Sequence, residues 1–203
     1  MIGIIDYGCG NINAFKNAFR MLNVKSFVVS DTCQINEASK IILPGVGSFD
    51  YVIKTFNESG LRKAVEEKVF QNKIPVLGVC AGMQILAEAS DEGKLEGLCW
   101  VEGKVRNLNK MNISNIYSLP HMGWNNVFFS KNKLFDKIEI GARFYFVHSY
   151  YFKNYNEEES IAYTNYPFKF CCAVQKNNIF GVQFHPEKSH KNGLQLLKNF
   201  SEI

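Results

Sequence analysis

The chain has 203 residues, 46% hydrophobic and 21% charged, which suits one sizeable core and excludes a disordered chain. With 23 basic against 19 acidic residues the net charge is +4, and no basic cluster reaches the density of a nucleic-acid footprint, so no nucleic-acid partner is expected. The longest apolar stretch, residues 74–87, contains Pro75, Gly78, Gly82 and Gln84 and cannot span a bilayer, and the opening residues 1–6 lack the charged and apolar regions of a signal peptide.

The elements follow in chain order. Residues 2–5 form a short strand, and the Gly-rich turn 6–11 leads into a helix over 12–22, where Ile12, Phe15, Ala18, Phe19 and Leu22 recur at helical spacing. Strands are expected at 27–29 and 40–43, the second ending in the turn Pro44-Gly45-Val46-Gly47. Residues 49–70 read as helix in two pieces split near Gly60. A buried strand at 76–79 then turns into a helix over 83–88, built mostly from good helix formers. The second half is aromatic-rich. Strand patterns fall at 100–101, 126–129, 143–147, 150–152 and 160–175, with a loop at 119–125. Asn177-Asn178 reads as a hairpin turn into a strand at 179–184, and a last helix covers 191–200. No linker or repeat divides the chain, so residues 1–203 are expected to form one α/β domain. Its mainly parallel central sheet is flanked by helices and carries an additional antiparallel portion.

Between the strand and helix near residue 80 lies Gly78-x-Cys80-x-Gly82, the cysteine form of a nucleophile elbow. Glycines on both sides permit a sharp turn, and a helix N-terminus favours thiolate over thiol. A buried, inert structural thiol is the alternative. The six cysteines (Cys9, Cys33, Cys80, Cys99, Cys171, Cys172) include no C-x-x-C pair, so neither a disulfide framework nor a zinc site is expected. Reduced thiols in a cytoplasmic compartment fit best.

His185-Pro186-Glu187 follows the strand at 179–184. A residue before proline is held extended, so His185 and Glu187 point to one side, with Glu187 able to orient the imidazole. A surface turn with a solvated Glu is the alternative. The glycines around Val46 can turn backbone N–H groups into a cleft at the strand ends, as an oxyanion hole requires, or form an ordinary turn. Gln84, one helical turn beyond Cys80, reads either as a substrate ligand or as an exposed helix residue. His148-Ser149-Tyr150 supplies further polar groups, with a satisfied structural histidine as the alternative for His148. His121 and His190 lie in no comparable polar constellation.

Together, Pro44 to Gly47, Gly78 to Gln84 and His185 to Glu187 resemble the class I, or triad, glutamine amidotransferases. Residues 5–11, 120–125, 145–151 and 181–189 narrow the resemblance to the glutaminase subunits of imidazole glycerol phosphate synthase, over essentially the whole chain. The resemblance implies glutamine hydrolysis through a Cys80 thioester, with His185 as base and Glu187 as its orienter. It implies an oxyanion hole at Val46, Gly47 and Ala81, glutamine binding by Gln84, His148, Ser149 and Tyr150, and no metal or organic cofactor. It also implies a (β/α)8 cyclase partner that receives the ammonia and makes imidazole glycerol phosphate and aminoimidazole carboxamide ribotide. The heterodimer interface would include Asn11, His121, Met122, Trp124, Asn125 and Lys188. Ala81 and Cys9 depart from the commoner family pattern. Three other readings compete: a paralogue that supplies ammonia for sugar amidation in surface-polysaccharide synthesis, a non-catalytic subunit, and a cysteine peptidase or hydrolase of the same fold.

Overall fold

The computed structural model describes residues 1–108 and 118–203. Among these residues the strands β1 (Ile2–Ile5), β2 (Ser26–Val29), β3 (Lys40–Gly45), β4 (Val76–Cys80), β5 (Ala89–Ser90) and β6 (Gly103–Asn107) come first. Next are β7 (His121–Asn126), β8 (Phe128–Phe129), β9 (Arg143–His148), β10 (Tyr150–Asn154), β11 (Ser160–Asn165), β12 (Lys169–Lys176) and β13 (Ile179–Val182). The helices are α1 (Ile12–Met21), α2 (Phe49–Glu58), α3 (Arg62–Phe70), α4 (Ala81–Gln84) and α5 (His190–Glu202).

The main sheet runs β2-β1-β3-β4-β13-β12-β10-β6-β5, with β11 and β8 joined beside β12. From β2 to β13 every neighbour is parallel, whereas the β13–β12, β12–β10 and β10–β6 pairs are antiparallel. This is the expected mainly parallel sheet with an antiparallel extension. A separate antiparallel ribbon joins β7 to β9.

Strand alternation builds a core on each face. Ile5, Val29, Ile41 and Leu43 pack on one side with Phe49, Val52 and Phe56 of α2 and Val65 and Val69 of α3. Ile4, Ile42, Leu77 and Val79 pack on the other with Phe15 and Phe19 of α1 and Leu196, Leu197 and Phe200 of α5. Apolar strands covered on both faces are what a parallel sheet requires.

Three expected elements differ. The helix over 83–88 is instead the four-residue α4. Beyond it the carbonyls of Ile85, Leu86 and Ala87 accept the N–H groups of Leu98, Trp100, Val101 and Cys99, so the helical ladder has no acceptors left. For the same reason residues 100–101 form no regular strand; the ladder begins at Gly103. The loop expected at 119–125 is largely strand β7, paired residue by residue with β9 from His121↔His148 to Asn126↔Arg143.

Candidate active site

The topology brings three separated motifs to one edge. β3, β4 and β13 are parallel neighbours, with Gly45 opposite Cys80 and Val79 opposite Val182. Their C-terminal ends therefore deliver Gly45 to Gly47, Cys80 and Gln183 to His185 side by side, where open α/β sheets place their sites.

The elbow is strained and tightly packed. Cys80 has φ 55° and ψ −115°, in the left-handed half of the map, which costs a non-glycine residue about 1–3 kcal/mol. Backbone contact explains the glycines around it. A Cβ at Gly82 would lie 2.0 Å from the Leu43 carbonyl oxygen, one at Gly45 would lie 2.2 Å from the Gly82 nitrogen, and one at Gly78 would lie 2.6 Å from the Gly82 oxygen. β3, β4 and α4 thus meet backbone to backbone and over-determine the conformation that lifts Cys80 into the cleft.

The cleft is a cavity of about 250 Å³ lined by Val46, Gly47, Cys80, Ala81, Gln84, Glu92, Val147, His148, Ser149, Tyr150, His185 and Lys188. It unites the expected nucleophile, base, oxyanion-loop and glutamine-binding residues. Val46 is 54% exposed at its rim, and Gly47 adopts φ 130°, a backbone that favours glycine.

His185 is buried and extended (φ −99°, ψ 94°), with its N–H donated to the Tyr145 carbonyl and its own carbonyl accepting from Ser189 Oγ. Its Nδ1 lies 2.8 Å from Glu187 Oε1, and both side chains are almost fully covered. The expected same-side geometry across Pro186 is therefore present. His185 Nε2 is buried and has no conventional hydrogen-bond partner. Burial lowers the pKa of the ring, but the Cys80 sulfur and the Glu187 carboxylate outweigh it and raise it to about 10. The Cys80 sulfur thus supports the charged ring, although Nε2 makes no conventional hydrogen bond.

Gln84 is buried, not an exposed helix residue. Its Nε2 donates to the Tyr150 carbonyl at 3.1 Å and to Gln183 Oε1 at 3.0 Å. His148 is buried as well. Its Nδ1 lies 2.7 Å from the Tyr150 carbonyl, and its Nε2 lies 2.9 Å from His121 Nδ1. It lines the cavity, and both of its ring nitrogens have hydrogen-bond partners. Desolvation lowers the His148 pKa to about 3, helped by His121 and His185, and lowers that of His121 to about 4.

The residues expected at an interface divide. Asn11 and Lys188 are exposed, Met122 (61%) and Trp124 (37%) project from β7, and Asn125 is half-buried. His121 is only 2% exposed and lies beneath that face, stacked on Tyr166 and Phe146. Although His121 was expected among the interface residues, the alternation of strand β7 turns it inward. Trp124 stacks on His190 at 5.1 Å.

Two residues escaped the sequence reading. Glu92 enters the cleft from the loop after β5, and its Oε2 accepts the Phe49 N–H at 2.7 Å. That loop is tied to α2 by Asp50, which accepts from the backbone of Lys94 and Leu95. Gln183 is fully buried with its Nε2 3.8 Å from Cys80 Sγ. A lone amide in the apolar run at 179–184 was the available signal for Gln183; Glu92 had none.

Comparisons with known proteins agree with this architecture. The glutamine amidotransferase class-I family model matches residues 3–203. The chain is 50% identical over 204 residues to the imidazole glycerol phosphate synthase subunit HisH of Bdellovibrio bacteriovorus, covering 100% of each chain. It is 48% identical to the HisH subunit of Leptospira interrogans, again over 100% of both. A crystal structure described as a glutamine amidotransferase superposes with a TM-score of 0.74 at 18% identity, covering 99% of this chain and 97% of that one, which speaks to fold. The chain is a glutamine amidotransferase and belongs to the class I family.

Proposed function

We propose that Cys80, His185 and Glu187 are the catalytic triad of a glutaminase that supplies ammonia to a synthase partner. The Cys80 thiolate adds to the side-chain amide carbon of glutamine. The resulting oxyanion is met by backbone N–H groups of Val46, Gly47 and Ala81. His185 Nε2 gives its proton to the departing nitrogen as the carbon–nitrogen bond breaks, and ammonia leaves. His185 then takes a proton from water, which attacks the glutamyl thioester; the carbon–sulfur bond breaks, glutamate departs, and the Cys80 thiolate is restored beside protonated His185. Glu187 holds the ring in one tautomer throughout. These steps require no metal or organic cofactor.

The single observation that carries this reading is the His185–Glu187 pair at 2.8 Å, with His185 and Cys80 lining one cavity and Nε2 making no conventional hydrogen bond. Substrate fit supports it. Gln84 spends its amide N–H groups inward, so its oxygen remains to accept from an α-ammonium, and the Glu92 carboxylate adds charge. His148, Ser149 and Tyr150 line the same cavity, and the hydroxyls of Ser149 and Tyr150 are donors for the α-carboxylate.

The partner we infer is a (β/α)8 cyclase, in a cytoplasmic heterodimer with lyase activity. The ammonia is used there to form imidazole glycerol phosphate and aminoimidazole carboxamide ribotide in histidine biosynthesis. The names of the full-length relatives support that pathway and do not favour the sugar-amidation paralogue. Asn11, Met122, Trp124, Asn125 and Lys188 form the docking face, and residues 1–203 act as one catalytic domain. Among the described residues no helix is long and apolar enough to cross a membrane.

Co-purification with the candidate cyclase, followed by glutamate release with and without its nucleotide acceptor, tests this. Complex formation and acceptor-stimulated glutamate release are expected. Absence of binding, with full glutaminase activity in the isolated chain, would contradict it.

A further inference from the structure

The polar groups behind the cavity form one connected path whose direction follows from a single atom. The Tyr150 carbonyl oxygen can only accept. It receives Gln84 at 3.1 Å, so the Gln84 group facing it is the NH2. The same nitrogen lies 3.0 Å from the Gln183 side chain, so the Gln183 atom there is its oxygen. The Gln183 NH2 is therefore turned toward Cys80, 3.8 Å from the sulfur. One carbonyl fixes two amides that are otherwise free to flip.

The other side of that carbonyl is equally determined. His148 Nδ1 donates to it at 2.7 Å, so the neutral ring accepts at Nε2 from His121 Nδ1 at 2.9 Å. His121 Nε2 then accepts from Asn125 Nδ2 at 3.2 Å, and the same nitrogen donates to the Asn165 carbonyl at 2.9 Å. The path thus begins on β7 and ends at the nucleophile.

Burying an amide completely in an apolar strand end is costly unless its bonds are made. Gln183 is 0% exposed, and its backbone N–H is already used on the Cys172 carbonyl. Its side chain makes two contacts here, Gln84 and the sulfur. A donor aimed at sulfur favours the ionised form and fixes its direction.

We propose that Gln183 is a catalytic residue whose side-chain amide donates to the Cys80 sulfur, oriented by Gln84 and the Tyr150 carbonyl. The inference rests on Cys80 being the nucleophile. It assigns Gln183 the task of keeping the sulfur ionised and aimed into the cavity between turnovers.

The test is alkylation of Cys80 by iodoacetamide, followed as the Cys80 peptide by mass spectrometry across neutral and alkaline pH. Gln183→Met removes the donor at similar volume. Gln183→Glu keeps an acceptor for Gln84 and sets a carboxyl against the sulfur; urea unfolding of each variant establishes that it is folded before its rate is read. The exposed thiols Cys33 and Cys99 serve as internal standards. At neutral pH the Cys80 rate is expected to fall about tenfold in both variants, with the deficit closing in alkali and the standards unchanged. Wild-type Cys80 rates in folded variants would overturn the proposal. So would a deficit that persists in alkali, which would mark lost access, not lost ionisation. Ammonia release that survives Cys80→Ala would remove the nucleophile reading itself, an outcome separable from either result at Gln183.

Discussion

Acidification from pH 7 to pH 5 is predicted to destabilise the fold through His121 and His148. Both rings are buried and neutral, with pKa values lowered by desolvation from 6.5 to about 4 and about 3. The unfolded chain therefore binds protons that the folded chain refuses, and stability falls as pH drops below the unfolded value. Between pH 7 and pH 5 each ring contributes a loss of at most about 2 kcal/mol by linkage. His185 works the other way. Its pKa is raised to about 10, so its contribution is complete below the unfolded value and is lost as pH rises through about 10. Toward acid it offsets about 1 kcal/mol. The net expectation is a loss of about 2–3 kcal/mol. Urea unfolding at the two pH values measures it directly. His121→Asn removes one titrating ring while keeping an amide donor for His148, so the pH-dependent loss should shrink by about half. Equal stability at both pH values, or an unchanged loss in His121→Asn, would refute the assignment of neutral rings to this pair.

Two further perturbations probe the site. Gly82→Ala forces a Cβ to within 2.0 Å of the Leu43 oxygen, a backbone atom that cannot move without breaking the β3–β4 register. A loss of about 3 kcal/mol or more is expected in thermal unfolding, and wild-type stability would show that the elbow is looser than described. Glu92→Gln keeps an acceptor for the Phe49 N–H but removes the charge offered to the α-ammonium. KM for glutamine should rise about tenfold with kcat changed less; an unchanged KM would exclude Glu92 from binding.

What was legible in the sequence was local. Glycines flanking Cys80 announced a sharp turn, and Pro186 fixed the relation of His185 to Glu187; both follow from backbone sterics within a few residues. The parallel order of β1, β3 and β4 followed from short apolar strands alternating with amphipathic helices. What escaped depended on distant partners. The run 83–88 consists of good helix formers, yet the segment 97–101 takes its carbonyls. Strand β7 was obscured because its inward positions include His121 and Gly123, which do not look like a core face. Its identity depends on pairing with β9 and on the aromatic surroundings of His121. Glu92 reaches the cleft only because Asp50 of α2 holds its loop.

The central claim is covalent chemistry at Cys80. Rapid quenching of the chain with glutamine, in complex with its candidate cyclase, followed by peptide mass spectrometry, tests it most directly. A glutamyl adduct on the Cys80 peptide of the wild-type complex, absent in Cys80→Ala and lost when His185 is replaced by Asn, is the predicted result. An adduct on any other residue, or ammonia released at the wild-type rate by Cys80→Ala, would contradict the account.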